Sequence, residues 1–201
     1  VEELILKQHT SAFLVRGYYS FATRRHIVLA LPLEYMPGGD LGTMLVQVGC
    51  LPEPQARFYL AEAVAGISYL HREGVVHHDV KPQNMLISAS GHLKLTDFGL
   101  SAARDHGHLG RGTLPYAAPE VLKGAAGSSG LDMWALGVVL LELLHGELPF
   151  TADDPPGFRA AITQQLDARG VWEPRDGVEA FAQATGLSLA ALDLCRSVLV
   201  E

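Results

Sequence analysis

The chain has 201 residues, enough for one domain with a buried core, and its 48% hydrophobic and 18% charged residues exclude a disordered polymer. A formal net charge of −7 argues against a nucleic-acid partner and suits a basic peptide. The two cysteines, Cys50 and Cys195, lack Cys-x-x-Cys spacing, which argues against a disulfide scaffold or zinc site and leaves a reducing compartment as the default.

Residues 1–8 read as the end of an amphipathic helix. Residues 13–21 and 26–35 are rich in β-branched and aromatic side chains and read as a strand pair, with Pro32 confining the second strand to an edge or ending it early. Pro37-Gly38-Gly39 breaks the chain. Helices follow at 41–48 and 54–72; the second has Pro54 near its start, an apolar face at Phe58, Ala61, Val64, Ala65 and Tyr69, and Gly74 past its end. Residues 84–96 read as two short strands around Ser90-Gly91, and residues 99–130 as a long functional loop. Leu131–Leu144 is apolar nearly all round, which predicts a buried helix; it is too short for a membrane and contains Glu142. Further helices are expected near 157–168, 177–184 and 188–200. The start at Val1 is neither a signal peptide nor a natural-looking beginning, and the chain stops inside a helical pattern, so both ends read as cut.

The chemistry concentrates in GVVHHDVKPQNMLI, residues 74–87. Adjacent histidines do not share a helix face, and no cysteine or carboxylate stands at metal spacing around His77 and His78, so a histidine metal site is disfavoured. Asp79, Lys81 and Asn84 are spaced by two and three residues, with Pro82 stiffening the loop. Eighteen residues after Asp79, Asp97 follows an alternating stretch and precedes Phe98-Gly99, where glycine lets the backbone turn. If the ligand is Mg·ATP, each residue has a task. Mg²⁺ takes hard oxygen ligands, which Asn84 and Asp97 supply; Asp79 orients a hydroxyl and takes its proton; Lys81 offsets charge on the transferring phosphoryl group.

HHDVKPQN, DFG and Ala118-Pro119-Glu120, in this order and spacing, resemble the signature of eukaryotic protein kinases. GTLPYAAPE, LDMWALGVVLLELL and GELPF extend the likeness over nearly the whole chain. EYMPGGDL, ARFYLAEAV and GHLKLTDFGLS resemble the AGC group of Ser/Thr kinases, with the microtubule-associated and Greatwall-like branch as the nearest subtype. The resemblance implies an α+β, protein kinase-like fold: a small-lobe remnant at 1–33, a hinge at 34–40 and a mostly helical large lobe at 41–201. It implies ATP and Mg²⁺, a protein or peptide substrate with basic residues near the acceptor, no nucleic acid or membrane, and a cytoplasmic or nuclear location. It places Thr113 against Asp79 and Lys81, and Glu2 at the glutamate of the αC helix. It sets Glu34, Tyr35 and Met36 at the adenine hinge and Asp40 near the ribose. Asp40 and Glu142 stand where carboxylates meet basic substrate side chains, although each is equally an ordinary solvated or capping carboxylate. Asp132 matches a buried aspartate that braces the catalytic loop.

Three departures qualify the likeness. No glycine-rich loop or strand lysine precedes Glu2, and the arginine that would pair with Glu120 is absent, so the expectation is a truncated domain whose isolated chain is poorly active. His78 replaces the usual arginine while Leu109 occupies the phosphosite it would serve, which fits a loop that needs no phosphate. Gly17 replaces a large apolar residue in a stack with Leu6, His77 and Phe98, an unfilled gap there costing on the order of 2–5 kcal/mol. His106 and His108 read as exposed loop residues. The competing function is a non-catalytic, kinase-like scaffold for protein partners. Asp79, Asn84 and Asp97 together weigh against it, since a scaffold has no chemical use for all three.

Overall fold

The computed structural model describes residues 11–16, 21–22, 27–28, 34–103, 112–124, 128–168, 170–174 and 177–200. The expectations for Glu2, Leu6, Gly17, Pro32, His106, His108 and Leu109 lie outside those residues.

The core is built around one helix. In α4 (Gly130–His145) twelve residues are buried, because its apolar residues run round the whole circumference and neighbours cover every side. α2 (Glu53–Arg72) and α7 (Leu189–Val198) pack on it. Gly137 sets the approach of α7: a Cβ there would lie 2.7 Å from Val198 Cγ2 and 2.8 Å from Leu199 Cδ2. Trp134 stacks on Phe150, ring centroids 5.9 Å apart, and fixes the chain leaving α4. α5 (Pro155–Thr163) and α6 (Val178–Thr185) complete this end, with α5 capped by Asp154, whose carboxylate accepts from the Gly157 amide at 2.7 Å.

The face of α2 that is buried is not the expected one. Ala56, Tyr59, Leu60, Ala63, Gly66, Ile67 and Leu70 turn inward, while Phe58 and Ala61 are exposed and Val64, Ala65 and Tyr69 are half-buried. Within that face Gly66 lets the β-hairpin approach so closely that a Cβ there would meet Leu95 Cδ1 at 2.8 Å.

That hairpin is β4 (Met85–Ile87) and β5 (Leu93–Leu95), antiparallel, with Met85 opposite Leu95 and Ile87 opposite Leu93. Those four side chains face the core; Leu86 and Lys94 face the other way. Shorter pairs join β1 (Phe21–Ala22) to β2 (Ile27–Val28) and β3 (Val75–Val76) to β6 (Ala102–Ala103). Residues 13–16 lie along β5 as well as beside the expected partner strand: Val15 N donates to Leu95 O at 2.9 Å and Leu95 N to Phe13 O at 2.8 Å, while Glu34 N donates to Arg16 O at 3.4 Å. The stretch read as one long loop carries β6, a 3₁₀ turn at Leu114–Tyr116 and the short α3 (Pro119–Leu122). The first large-lobe helix, α1 (Leu41–Val48), falls where the sequence placed it, because Asp40 caps it and Gly49 closes it.

Candidate active site

The segment from β3 to β4 carries the polar set. It is clamped from below by Asp132, in the first turn of α4. One carboxylate oxygen accepts from His77 N at 2.9 Å and the other from His78 N at 2.9 Å; His71, in the last turn of α2, meets the first at 2.7 Å. Burial alone would raise the Asp132 pKa, but the bonds from His71 and the two loop amides, with the nearby His77 ring, hold it below the ordinary carboxylate value. The clamp holds His78 in the left-handed region, φ 68°, a costly conformation for a residue with a Cβ.

His77 faces the core. Its ring lies 5.3 Å from that of the fully buried Phe98, and Nε2 lies 3.1 Å from Thr96 O. Ser101 Oγ donates to its carbonyl at 3.2 Å. The two adjacent histidines therefore have separate structural duties, and among the described residues no cluster of three or more His, Cys, Asp or Glu could hold a metal.

Asp79 is the hub. Its Oδ1 accepts from Thr113 Oγ1 at 2.7 Å and Thr113 N at 3.1 Å; its Oδ2 accepts from Lys81 Nζ at 2.6 Å and Asn84 Nδ2 at 3.0 Å. Lys81 also reaches Thr113 Oγ1 at 2.7 Å, so the three side chains expected to meet do meet. Burial pushes the Asp79 pKa up, but the Lys81 and Thr113 hydrogen bonds, the Lys81 charge and the Asn84 bond outweigh it, and the carboxyl lies below its ordinary range.

Asn84 sits at the end of a 3₁₀ turn, Pro82–Asn84, immediately before β4. Its amide nitrogen is spent on Asp79, with Asp79 O at 2.8 Å and Oδ2 at 3.0 Å, which turns its oxygen the opposite way. Its backbone carbonyl accepts from Thr96 N at 3.0 Å and ties the turn to the residue before Asp97. Asp97 is exposed, with φ 61°. Its own Oδ1 accepts from Gly99 N at 3.3 Å, and Phe98 is buried directly behind it. An amide oxygen and an exposed carboxylate are hard donors and fit Mg²⁺.

The hinge residues are placed less decisively. The Glu34 carboxylate is held by Lys94 Nζ at 2.7 and 2.6 Å, so only its backbone is available to a base. Tyr35 is 85% exposed and Met36 is half-buried. Both Asp40 oxygens serve Thr43, Oδ1 accepting from its amide and Oδ2 from its hydroxyl, each at 2.7 Å. Asp40 is thus a helix cap here. Glu142 accepts from the Tyr116 hydroxyl at 2.7 Å; burial raises its pKa and that bond lowers it only in part. The sequence reading missed His71 and Tyr116. Neither carries a local signal, since each acts on a residue far along the chain, Asp132 and Glu142.

Gly112 positions Thr113. Its φ is +117°, and a Cβ there would stand 2.7 Å from the His78 carbonyl oxygen. Gly112→Ala should strain the backbone by about 1–3 kcal/mol and shift Thr113 off Asp79. We expect kcat to fall on the order of tenfold or more with nucleotide affinity unmoved. Steady-state kinetics on a Ser peptide check this; an unchanged kcat would remove Gly112 from the site.

The chain matches the protein kinase domain family over residues 1–201 and belongs to that family. It is 41% identical over 174 residues to a probable serine/threonine protein kinase, IRE4, of Arabidopsis thaliana, covering 71% of this chain and 16% of that protein. It is 41% identical over 158 residues to ribosomal protein S6 kinase 2 beta of Xenopus laevis, an AGC-group enzyme, covering 77% of this chain and 25% of that protein. Likewise it is 39% identical over 157 residues to ribosomal protein S6 kinase beta of Caenorhabditis elegans, covering 76% and 28% respectively. The chain thus spans less than a third of the length of these curated relatives.

Proposed function

We propose that the protein transfers the γ-phosphoryl group of ATP to Ser or Thr hydroxyls of protein substrates. The observation that carries this reading is the Asp79 carboxylate held at once by Lys81, Thr113 and Asn84. A purely non-catalytic scaffold has no use for such a hub.

Asp79 orients the acceptor hydroxyl and takes its proton. A carboxylate has about four lone-pair directions, and four donors fill them here. An incoming hydroxyl must therefore displace one donor. Lys81 is the one able to leave, being 19% exposed at the end of a flexible stem. Moving from Asp79 towards the phosphoryl oxygens, it would open Oδ2 to the hydroxyl and place its charge where negative charge must be offset. The low Asp79 pKa makes it a weak base, suited to accepting the proton late, after the hydroxyl has become acidic. Asn84 Oδ1 and the Asp97 carboxylate would hold Mg²⁺, which when bound draws charge from the β- and γ-phosphates. Thr113 holds the other side of Asp79 and supports the choice of Ser and Thr acceptors. The backbone at Glu34–Met36 would receive the adenine. Glu2 completes the expected nucleotide set.

Glu142 supports a preference for basic residues near the acceptor, since it is a half-buried carboxylate with one neutral donor from Tyr116. Asp40, which caps α1 with both oxygens, supports it less. Among the described residues no helix is long and apolar enough to cross a membrane. The thiols of Cys50 and Cys195 are free, which suits a reducing, ATP-supplied compartment, the cytoplasm or nucleus.

Incubation of the full-length protein with radiolabelled ATP, Mg²⁺ and an arrayed Ser, Thr and Tyr peptide library tests the reading, since the isolated chain is expected to be poorly active. Label is expected on Ser and Thr peptides, enriched for Arg or Lys, and Lys81→Met should lower kcat by about 10²–10³. Absence of transfer to any peptide would favour the scaffold.

A further inference from the structure

One hairpin carries both ends of the proposed nucleotide site. Asn84 immediately precedes β4, and Asp97 lies just beyond β5. The hinge is fastened to the same hairpin at two points. At its far end Gly38 N donates to Ile87 O at 3.0 Å and Ile87 N to Gly39 O at 2.8 Å, an approach so close that a Cβ on Gly38 would stand 2.7 Å from Ile87 Cβ. At its near end Lys94 Nζ donates to both oxygens of Glu34, at 2.7 and 2.6 Å.

Strand alternation is what aims Lys94 there. Leu93 and Leu95 are fully buried, so the residue between them points away from the core, to the hinge. β5 gives it a fixed base, with β4 on one side and residues 13–15 on the other. Both charges are shielded, Lys94 being 16% and Glu34 32% exposed, so salt and water weaken this pair less than a fully exposed one. The near end has little else to hold it. Glu34 N reaches Arg16 O at 3.4 Å, a long hydrogen bond. Among the described residues no other side chain bonds to Glu34, Tyr35 or Met36.

We propose, on the reading that this site holds Mg·ATP, that Lys94 is a positioning residue acting through Glu34. It sets the distance from the hinge backbone that receives the adenine to the Asn84 and Asp97 oxygens that receive the metal. ATP must satisfy both ends at once. A hinge that drifts from the hairpin therefore weakens the whole nucleotide, while each half alone still follows its own subsite.

The test uses the full-length protein and Lys94→Met, which keeps the stem and removes the charge. KM for ATP should rise about fivefold or more, with kcat and the peptide KM changing much less, because the misfit falls on a ligand bridging two subsites. Inhibition by adenosine, the hinge probe, and by Mg·tripolyphosphate, the metal probe, should barely move. Glu34→Lys or Lys94→Glu alone sets like charges together and should raise the ATP KM further; the two combined should bring it back towards wild type. An unmoved KM for ATP would overturn the proposal, as would adenosine weakening as much as ATP, or a folded double reversal that recovers nothing. If Lys94→Met fails to fold, Glu34→Gln decides: an unmoved KM for ATP in that variant overturns the proposal. A wild-type protein with neither ATP binding nor turnover would sink the phosphotransfer reading itself, whereas turnover with an unmoved KM in the variants sinks this inference alone.

Discussion

Asp79→Asn in the full-length protein should abolish phosphotransfer while leaving ATP binding nearly intact. The substitution is almost isosteric, so the loss reports chemistry rather than packing. An amide offers one acceptor oxygen where the carboxylate offers two. Its NH₂ would face either the Lys81 ammonium and Asn84 amide or the Thr113 hydroxyl and amide, donor against donor whichever way it turns. It also cannot take a proton. General-base catalysis contributes roughly 10²–10⁴-fold, and losing orientation of the hydroxyl adds to that. The proposed Mg²⁺ oxygens on Asn84 and Asp97 do not depend on the Asp79 charge, so nucleotide affinity measured by fluorescent-analogue titration should change little. Retained turnover would remove Asp79 from the role of base. Loss of nucleotide binding along with turnover would show that the variant had collapsed the loop.

The pH dependence follows the same carboxylate. Its folded pKa lies below the ordinary value, so the active, ionised form persists through the whole neutral and mildly acidic range. An acid limb of kcat/KM, which reports the free enzyme, near neutrality would belong to some other group.

The large lobe was legible where helix signals were strong and local. Asp40 and Gly49 bounded α1, and the unbroken apolar run of α4 announced its burial. The Asp79, Lys81, Asn84 set was legible because its members sit within six residues of one another, with Pro82 fixing the turn between them. Reading α2 failed on its face. Hydrophobicity pointed to Phe58 and Val64, but close approach of the hairpin is decided at Gly66, whose value is its small size. Phe58 stays outside, its ring 5.7 Å from His92 and 5.5 Å from Tyr59. The strand pair was legible where Phe21 faces Val28, but β-propensity names no further partner, and Leu14 lies against Leu95. His71 and Tyr116 were invisible for a related reason. Their roles exist only once elements 61 and 26 residues away are folded against them.

Asp132→Ala should unfold or severely destabilise the protein, and it should do so less in acid. The carboxylate is almost wholly buried and satisfies three donors, two of them loop amides. Removing it strands those amides and the His71 ring in the core, a loss of about 3–5 kcal/mol by the usual cost of breaking a buried charged network. Because the folded pKa is depressed, this contribution is fully present above the unfolded carboxylate pKa of about 3.9 and is lost as pH falls through the lower folded value. Urea titrations of wild type and variant at pH 7 should therefore differ by most of that amount, and the gap should narrow only below about pH 4. A gap that is constant with pH would mean that the lost side chain acts by filling space rather than by charge. His71→Ala keeps the two amide bonds and should cost less at pH 7. It should lower kcat only as far as the loop shifts, so comparing the two variants separates the clamp on the catalytic loop from the fold it stands on.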